Sequence, residues 1–309
     1  MIKIENFEGL VNSGILYGGH SGGKKGILIN HERWLLKYPK STKSMDRVNL
    51  SYTTTPISEY LGSHIYEIIG IDTHETELGI FDNKLVVACK DFLKEEETIF
   101  DYNSIKNNYE SDVENKLESL TFTGSGDDLK EIIFTMDNNT YFKNYTALKE
   151  RFWDMFIVDS FINNNDRNEG NWGLIYDKKN RKYRVSPVFD NGAAFYNKAD
   201  DNKLERLINN DDIFVQTVYH SAVSIFEINE KSINPLKYIE KMDNSDCNQA
   251  LIRIFPKINM NKIKEMFDNI PKEYEGIVVF SDAQRELYFK MLEYRYNLFK
   301  EVYNKLLSN

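Results

Sequence analysis

Asn165-Asp166-Arg167-Asn168-Glu169-Gly170-Asn171-Trp172-Gly173, followed by Ser186-Pro187-Val188-Phe189-Asp190-Asn191-Gly192, decides how this chain is read. An Asp, an Asn a few residues later and a second Asp leading into Asn-Gly are the polar parts of a phosphoryl-transfer site. The first Asp orients an attacking hydroxyl and takes its proton, while the Asn and the second Asp offer oxygens to magnesium. Each acid follows an apolar stretch, Phe156 to Ile162 before the first and Tyr183 to Phe189 before the second, so rigid elements would carry both. The plain alternative is a pair of turns, because Asn, Asp and Gly tolerate left-handed backbone. A calcium loop is excluded: Glu169 stands where the loop needs glycine, and Ile175 where it needs glutamate.

A second constellation lies upstream. Tyr17-Gly18-Gly19-His20-Ser21-Gly22-Gly23-Lys24 sits between the apolar segments Ile15-Leu16 and Ile27-Leu28-Ile29. Glycines there let main-chain N–H groups approach phosphate closely. Gly18, Gly23 and Lys24 nearly satisfy a Walker loop, but Lys25 occupies the Ser/Thr position, and a strand rather than a helix follows. A glycine loop between two strands is the protein-kinase arrangement.

Trp34-Leu35-Leu36-Lys37-Tyr38 is a strand with one internal lysine. The stretch Thr55 to Gly70 predicts a helix capped by Thr55, with Pro56 in its first turn and Gly70 at its end. Its Ile57, Leu61, Ile65 and Ile68 would pack on a sheet. Glu59 falls one turn in, placed to reach Lys37. It is read as a first-turn surface acid, so Glu59→Gln should lower turnover and leave stability almost unchanged. Lys84 to Leu93 is a strand leading out of the N-terminal part.

Taken in order, the glycine loop, Leu-Leu-Lys-Tyr-Pro, Ser-Glu-Tyr-Leu-Gly, Cys-Lys-Asp-Phe, Asn-Asp-Arg-Asn-Glu-Gly-Asn and Pro-Val-Phe-Asp-Asn-Gly resemble the HipA-like serine/threonine kinases, from about Tyr17 to Phe195. The resemblance implies an α+β, two-lobed protein-kinase-like fold, with a strand-rich N-lobe over 1–93 and a helical C-lobe over 94–309. It implies ATP and Mg2+ as cofactors. Gly18, Gly19, Ser21, Gly22 and Gly23 would cradle phosphates, with Lys37 held by Glu59. Cys89, Lys90, Asp91 and Phe92 would offer main-chain groups to adenine. Asp166 would be the base, and Asn171 with Asp190 would hold metal. It also implies a protein substrate, an antitoxin partner, and self-phosphorylation at Ser21 that shuts the enzyme off by repelling the triphosphate. HipA's additional N-terminal subdomain has no counterpart ahead of the glycine loop, which places the chain with compact relatives. Asn165-Asp166-Arg167 and Asp190-Asn191-Gly192 also resemble type II phosphatidylinositol 4-kinases, so a lipid kinase stays open, as does a nucleotide-binding pseudokinase.

Composition bears on the choice. The 309 residues carry a formal net charge of −9, which opposes nucleic acid or an anionic membrane as direct partner. No apolar run is long enough to span a bilayer, and the start of the chain lacks a signal-peptide core, so a cytoplasmic protein is expected. Two separated cysteines offer neither a disulfide framework nor a zinc site. The five histidines are scattered and none is given a catalytic part. Lys94 to Asn115 reads as a lobe connection with a surface helix. Tyr145 to Asn163 reads as a long helix burying one side, and Ser281 to Leu307 as a C-terminal helix with an apolar stripe.

Overall fold

Five strands make the sheet that carries the candidate lysine: β1 (Glu5–Asn6), β2 (Lys24–Ile29), β3 (Glu32–Lys37), β4 (Thr76–Phe81) and β5 (Lys84–Lys90). Their order is β1-β4-β5-β3-β2, antiparallel except for the β1–β4 pair. Two tight turns set the register. Asn30-His31 joins β2 to β3 and Asp82-Asn83 joins β4 to β5, with all four residues at positive φ, as the twist-matched two-residue hairpin turn requires. The computed structural model describes residues 1–14, 24–46, 48–107 and 126–308. Gly18, Gly19, Ser21, Gly22 and Gly23 therefore lie outside the described residues. On either side of them, Val11 to Ser13 pairs antiparallel with Gly26 to Leu28.

Alternation sorts the sheet's two faces. Ile27, Trp34, Leu36, Val86 and Ala88 meet Phe7 on one side. Val87, Cys89, Leu78 and Ile80 face the other way, into the core shared with helix α1 (Thr55–Ile69). That helix buries Ile57, Leu61 and Ile65 as expected, but its fourth anchor is Ile69, one residue past Ile68. Its cap is Thr54 rather than Thr55, which becomes the first helical residue ahead of Pro56.

A second, three-stranded sheet, β6-β7-β8, comprises Glu97–Asp101, Gly173–Asp177 and Lys182–Val185. The surface helix expected after Lys94 is thus partly a strand. Its run of glutamates hid an edge strand, whose Glu97 pairs with Arg184 of β8 at 2.8 Å. The β7–β8 hairpin separates Asn171 from Asp190 and brings the chain back to the first sheet. There the main chain of Val188 bonds Asp72 and His74.

Helix α2 (Thr146–Ile162) delivers the chain to Asp166. It was expected to bury one side, yet from Met155 to Ile162 every residue is buried. A helix enclosed all round is a core element, and Asp159 and Ser160 lie inside that enclosed stretch. The long helix α4 (Asp282–Ser308) packs against both α2 and the helix α3 (Asp201–Ile208).

Helix α1 touches the segment after Asp190 at Gly62, where a Cβ would lie 2.8 Å from the Asn191 Cβ. Neither atom can swing aside. Gly62→Val is expected to cost about 1–3 kcal/mol through overpacking, read as a lower urea midpoint; an unchanged or higher midpoint would contradict this close approach.

Candidate active site

Lys37 ends β3 and points toward α1, on the same face as Val87 and Cys89. Its Nζ lies 2.8 Å from Glu59 Oε2 and 2.8 Å from Asp190 Oδ1. One ammonium thereby joins the sheet, helix α1 and the Asp-Asn-Gly turn. Burial disfavours the charge on Lys37, but Glu59 and Asp190 outweigh it and hold its pKa well above the usual lysine value. Burial likewise opposes ionisation of Glu59, and Lys37 together with His74 more than offsets it, leaving Glu59 far below the usual carboxylate range. Asp190 is also held low, chiefly by Lys37.

Glu59 is no surface acid. It is 1% exposed. Its Oε1 accepts the Asn191 main-chain N–H at 2.8 Å and lies 3.0 Å from His74 Nε2. A carboxylate can only accept, so His74 carries its proton on Nε2 in this arrangement. Ser63 Oγ sits 3.2 Å from the same nitrogen and accepts from Asn191 Nδ2 at 3.0 Å. Gly192 passes so near that a Cβ there would be 3.1 Å from Glu59 Oε2. His74, Ser63 and Asn191 were not foreseen. A histidine just after the predicted helix end was the available signal, and it could not be tied to Glu59 without the fold.

Asp190 has φ of 61°, the left-handed turn that Asp tolerates, and its side chain is 37% exposed. Asp166 is exposed and lines the same cleft of about 640 Å³ as Lys37, Glu59 and Asp190. Asn171 is buried and outside the cleft wall; its Nδ2 donates to the Asp166 carbonyl at 3.0 Å, which fixes the backbone carrying the base candidate. Its Oδ1 is left without a hydrogen bond among the described residues.

Beneath these groups lies an ion pair that was also missed. Arg167, 2% exposed, donates through Nε to Asp159 Oδ2 at 2.8 Å and through Nη2 to Asn191 Oδ1 at 2.6 Å. Its Nη1 donates to the Phe189 carbonyl. The residues flanking Asp190 on both sides are therefore clamped to the end of α2. Tyr66 of α1 donates to the same Asp159 at 2.8 Å. Arg295 of α4 reaches in to the Asn163 side chain and the Ser160 carbonyl, both at 2.8 Å.

The expected adenine-side segment is less open. The N–H groups of Lys90 and Asp91 already donate to the carbonyls of Glu75 and Arg33, so neither is available to a ligand. The Lys90 side chain turns to Glu32 and Glu75, and Phe92 packs on Phe189 at 5.2 Å. Cys89 is buried, with its thiol pushed up by burial and its Sγ within 4.8 Å of ligand atoms of Glu59 and His74.

Over 280 residues the chain is 34% identical to the serine/threonine-protein kinase CtkA of Helicobacter pylori, covering 90% of this chain and 81% of that one. The chain belongs to the HipA-like serine/threonine-protein kinases. The crystal structure of a H. pylori proinflammatory kinase CtkA superposes with a TM-score of 0.81 at 28% identity, covering 99% of both chains. The Shewanella oneidensis HipA of a HipA, HipB and operator DNA complex shares the fold, with a TM-score of 0.50 at 13% identity, covering 96% of this chain and 70% of that one. No family model matches. The kinase is a phosphotransferase acting on serine or threonine, and the lipid-kinase alternative is set aside.

Because Glu59 is buried and bonded on both oxygens, Glu59→Gln is expected to destabilise the fold by about 3 kcal/mol. That is the low end for breaking a buried pair, since Asp190 still faces Lys37. The effect has a pH signature. Folded Glu59 titrates below its ordinary value of 4.5, so the stability it supplies is complete above that pH and is lost as pH falls through the folded value. The stability gap between wild type and Glu59→Gln should therefore be flat from neutral pH down to about 5 and narrow below 4.5; a gap that widens on acidification would contradict the assignment.

Proposed function

We propose that the kinase transfers the γ-phosphoryl group of ATP, with magnesium, to a serine or threonine hydroxyl of a protein substrate. One observation carries the reading: Lys37 bonds Glu59 and Asp190 together, at 2.8 Å each, in a cleft whose wall also holds Asp166.

The donor set fits the metal. Asp190 turns a partly exposed carboxylate to the cleft, and Asn171 retains an unbonded amide oxygen; these are the hard oxygen donors that magnesium prefers. Held there, the metal would neutralise charge on the phosphates. The remaining work falls to the chain's own groups. Lys37, kept charged by its two carboxylates, offers an ammonium to the α- and β-phosphates. Glu59 fixes that ammonium in place. Asp166, on backbone anchored by Asn171, orients the acceptor hydroxyl and takes its proton. Arg167 touches neither nucleotide nor acceptor and holds the Phe189-to-Asn191 turn in register with the base.

Gly18, Gly19, Gly22 and Gly23 complete this reading as the phosphate-covering loop, with Ser21 as a self-phosphorylation site. We take the lobe boundary at Leu93–Lys94, in the connection between the end of β5 at Lys90 and the start of β6 at Glu97. Among the described residues no helix is long and apolar enough to cross a membrane. ATP supply places the activity in the cytoplasm. An antitoxin partner is carried over from the Shewanella structure, solved with HipB and operator DNA, and co-purification from the native host tests it.

Incubation with labelled ATP and magnesium, followed by mass spectrometry of the kinase and of host lysate, tests the activity. Asp166→Ala should lower turnover by about 10²–10⁴-fold, the usual contribution of a positioned base, while ATP affinity stays within a few-fold. Asp190→Ala should abolish turnover and also weaken magnesium-dependent ATP binding. Equal loss of ATP binding in both variants would show the two roles to be misassigned.

A further inference from the structure

The cleft extends well beyond a nucleotide's phosphates. From Lys37 and Asp190 it runs past Asp166 and along the segment Gly192 to Ala199, and it closes against Ser221 to Ser224 of the C-terminal part. Val87 is its sole residue from β5, and none of Cys89 to Phe92 lines it. On the kinase reading of the site, this stretch corresponds to the acceptor half of the cleft.

Its charge is the reverse of the protein's. The chain carries −9 overall. Yet among the described residues the only acids in the cleft wall are Glu59, Asp166 and Asp190, all committed to the phosphoryl-transfer machinery. Lys40, from the connection between β3 and α1, joins Lys198 and Lys203 around the acceptor side, and none of the three forms an ion pair among the described residues. In sequence, Lys198 and Lys203 are mixed with acids. Folding separates the signs. Asp200 turns back to cap α3, accepting the Lys203 main-chain N–H at 2.8 Å. Asp201 accepts from Ser281 Oγ at 2.8 Å, and Asp211, outside the cleft wall, pairs with Lys290 at 2.8 Å. The lysines stay at the cleft and the carboxylates leave it. Thr53, Thr55, Thr217 and Ser221 add hydroxyl donors to the same wall.

We infer that the protein substrate presents one or more anionic side chains, carboxylate or phosphate, within a few residues of the acceptor serine or threonine, and that Lys40, Lys198 and Lys203 select it. The inference rests on the kinase reading of the site and deepens it by naming the substrate class. Unpaired ammonium groups bordering a cleft raise the local concentration of an oppositely charged segment and repel a basic one. The lysines are exposed, so the selection weakens as salt is added.

The test offers the intact kinase, with ATP and magnesium, four peptide sets with one central serine. The flanking residues are Asp/Glu, phosphoserine, Ala/Gly, or Lys/Arg. The expected result is a kcat/KM for the anionic sets about tenfold or more above the Lys/Arg set. The Asp/Glu and phosphoserine arms show which anion serves best. In the Lys198→Glu, Lys203→Glu double variant the anionic-to-basic ratio should fall by about tenfold or invert; Lys198→Ala, Lys203→Ala should fall between. A ratio normalises any loss of folded protein, so partial misfolding cannot imitate the effect. Equal use of all sets by wild type, or a ratio untouched by charge reversal, overturns the inference while leaving the kinase reading standing. Absence of label in every peptide, in the kinase itself and in lysate overturns the reading on which it rests, and the inference with it.

Discussion

One buried ammonium holds the active site together. Lys37 touches Glu59 on α1 and Asp190 on the turn after β8, and among the described residues no other ion pair joins these elements. At an effective dielectric of 20, each contact is worth on the order of 6 kcal/mol of attraction. Removing the ions from water costs several kcal/mol apiece. The trio therefore supplies modest net stability, and its larger effect is positional: no single charge can move without stranding the others. Asp190 alone keeps an open side, which suits the member proposed to release part of its contact to a metal.

A second buried pair repeats the logic one layer down. Arg167 is raised above its ordinary basicity by Asp159 and Tyr66 despite burial, so it stays charged where a neutral side chain would be cheaper. Its contacts join the end of α2, the base-bearing loop and both neighbours of Asp190. Asn191 connects the layers, since it accepts from Arg167 and donates to Glu59 and Ser63. Tyr66 of α1 and the Phe189 carbonyl add further links between the two layers.

Much of this was legible in the sequence, and the rest was hidden for physical reasons. The strands around Lys37, the helix from Thr55 to Gly70 and the Asp-to-Asn and Asp-Asn-Gly motifs are local patterns, and local patterns survive folding. The burial of Glu59 was not legible, because a glutamate one turn into a helix has the same sequence signature whether water or a lysine faces it. Asp159 and Arg167 were masked by opposite contexts: the acid sat in an apolar run and the arginine in a turn. The turn after α2 brings them together, and the return of the chain after the β7–β8 hairpin adds Phe189 and Asn191 to the same guanidinium. The sign separation in the cleft was invisible for the same reason, since Lys198, Asp200, Asp201 and Lys203 differ little until caps and partners draw the acids away.

The account stands on Lys37 and Glu59 acting as one unit on the nucleotide. A double-mutant cycle on kcat/KM for ATP measures this directly, using Lys37→Ala, Glu59→Gln and the pair. If Glu59 acts through Lys37, the double variant should be no slower than Lys37→Ala alone, so that the coupling cancels the whole effect of Glu59→Gln. Losses that simply multiply would show that Glu59 serves the reaction by another route and would contradict the account.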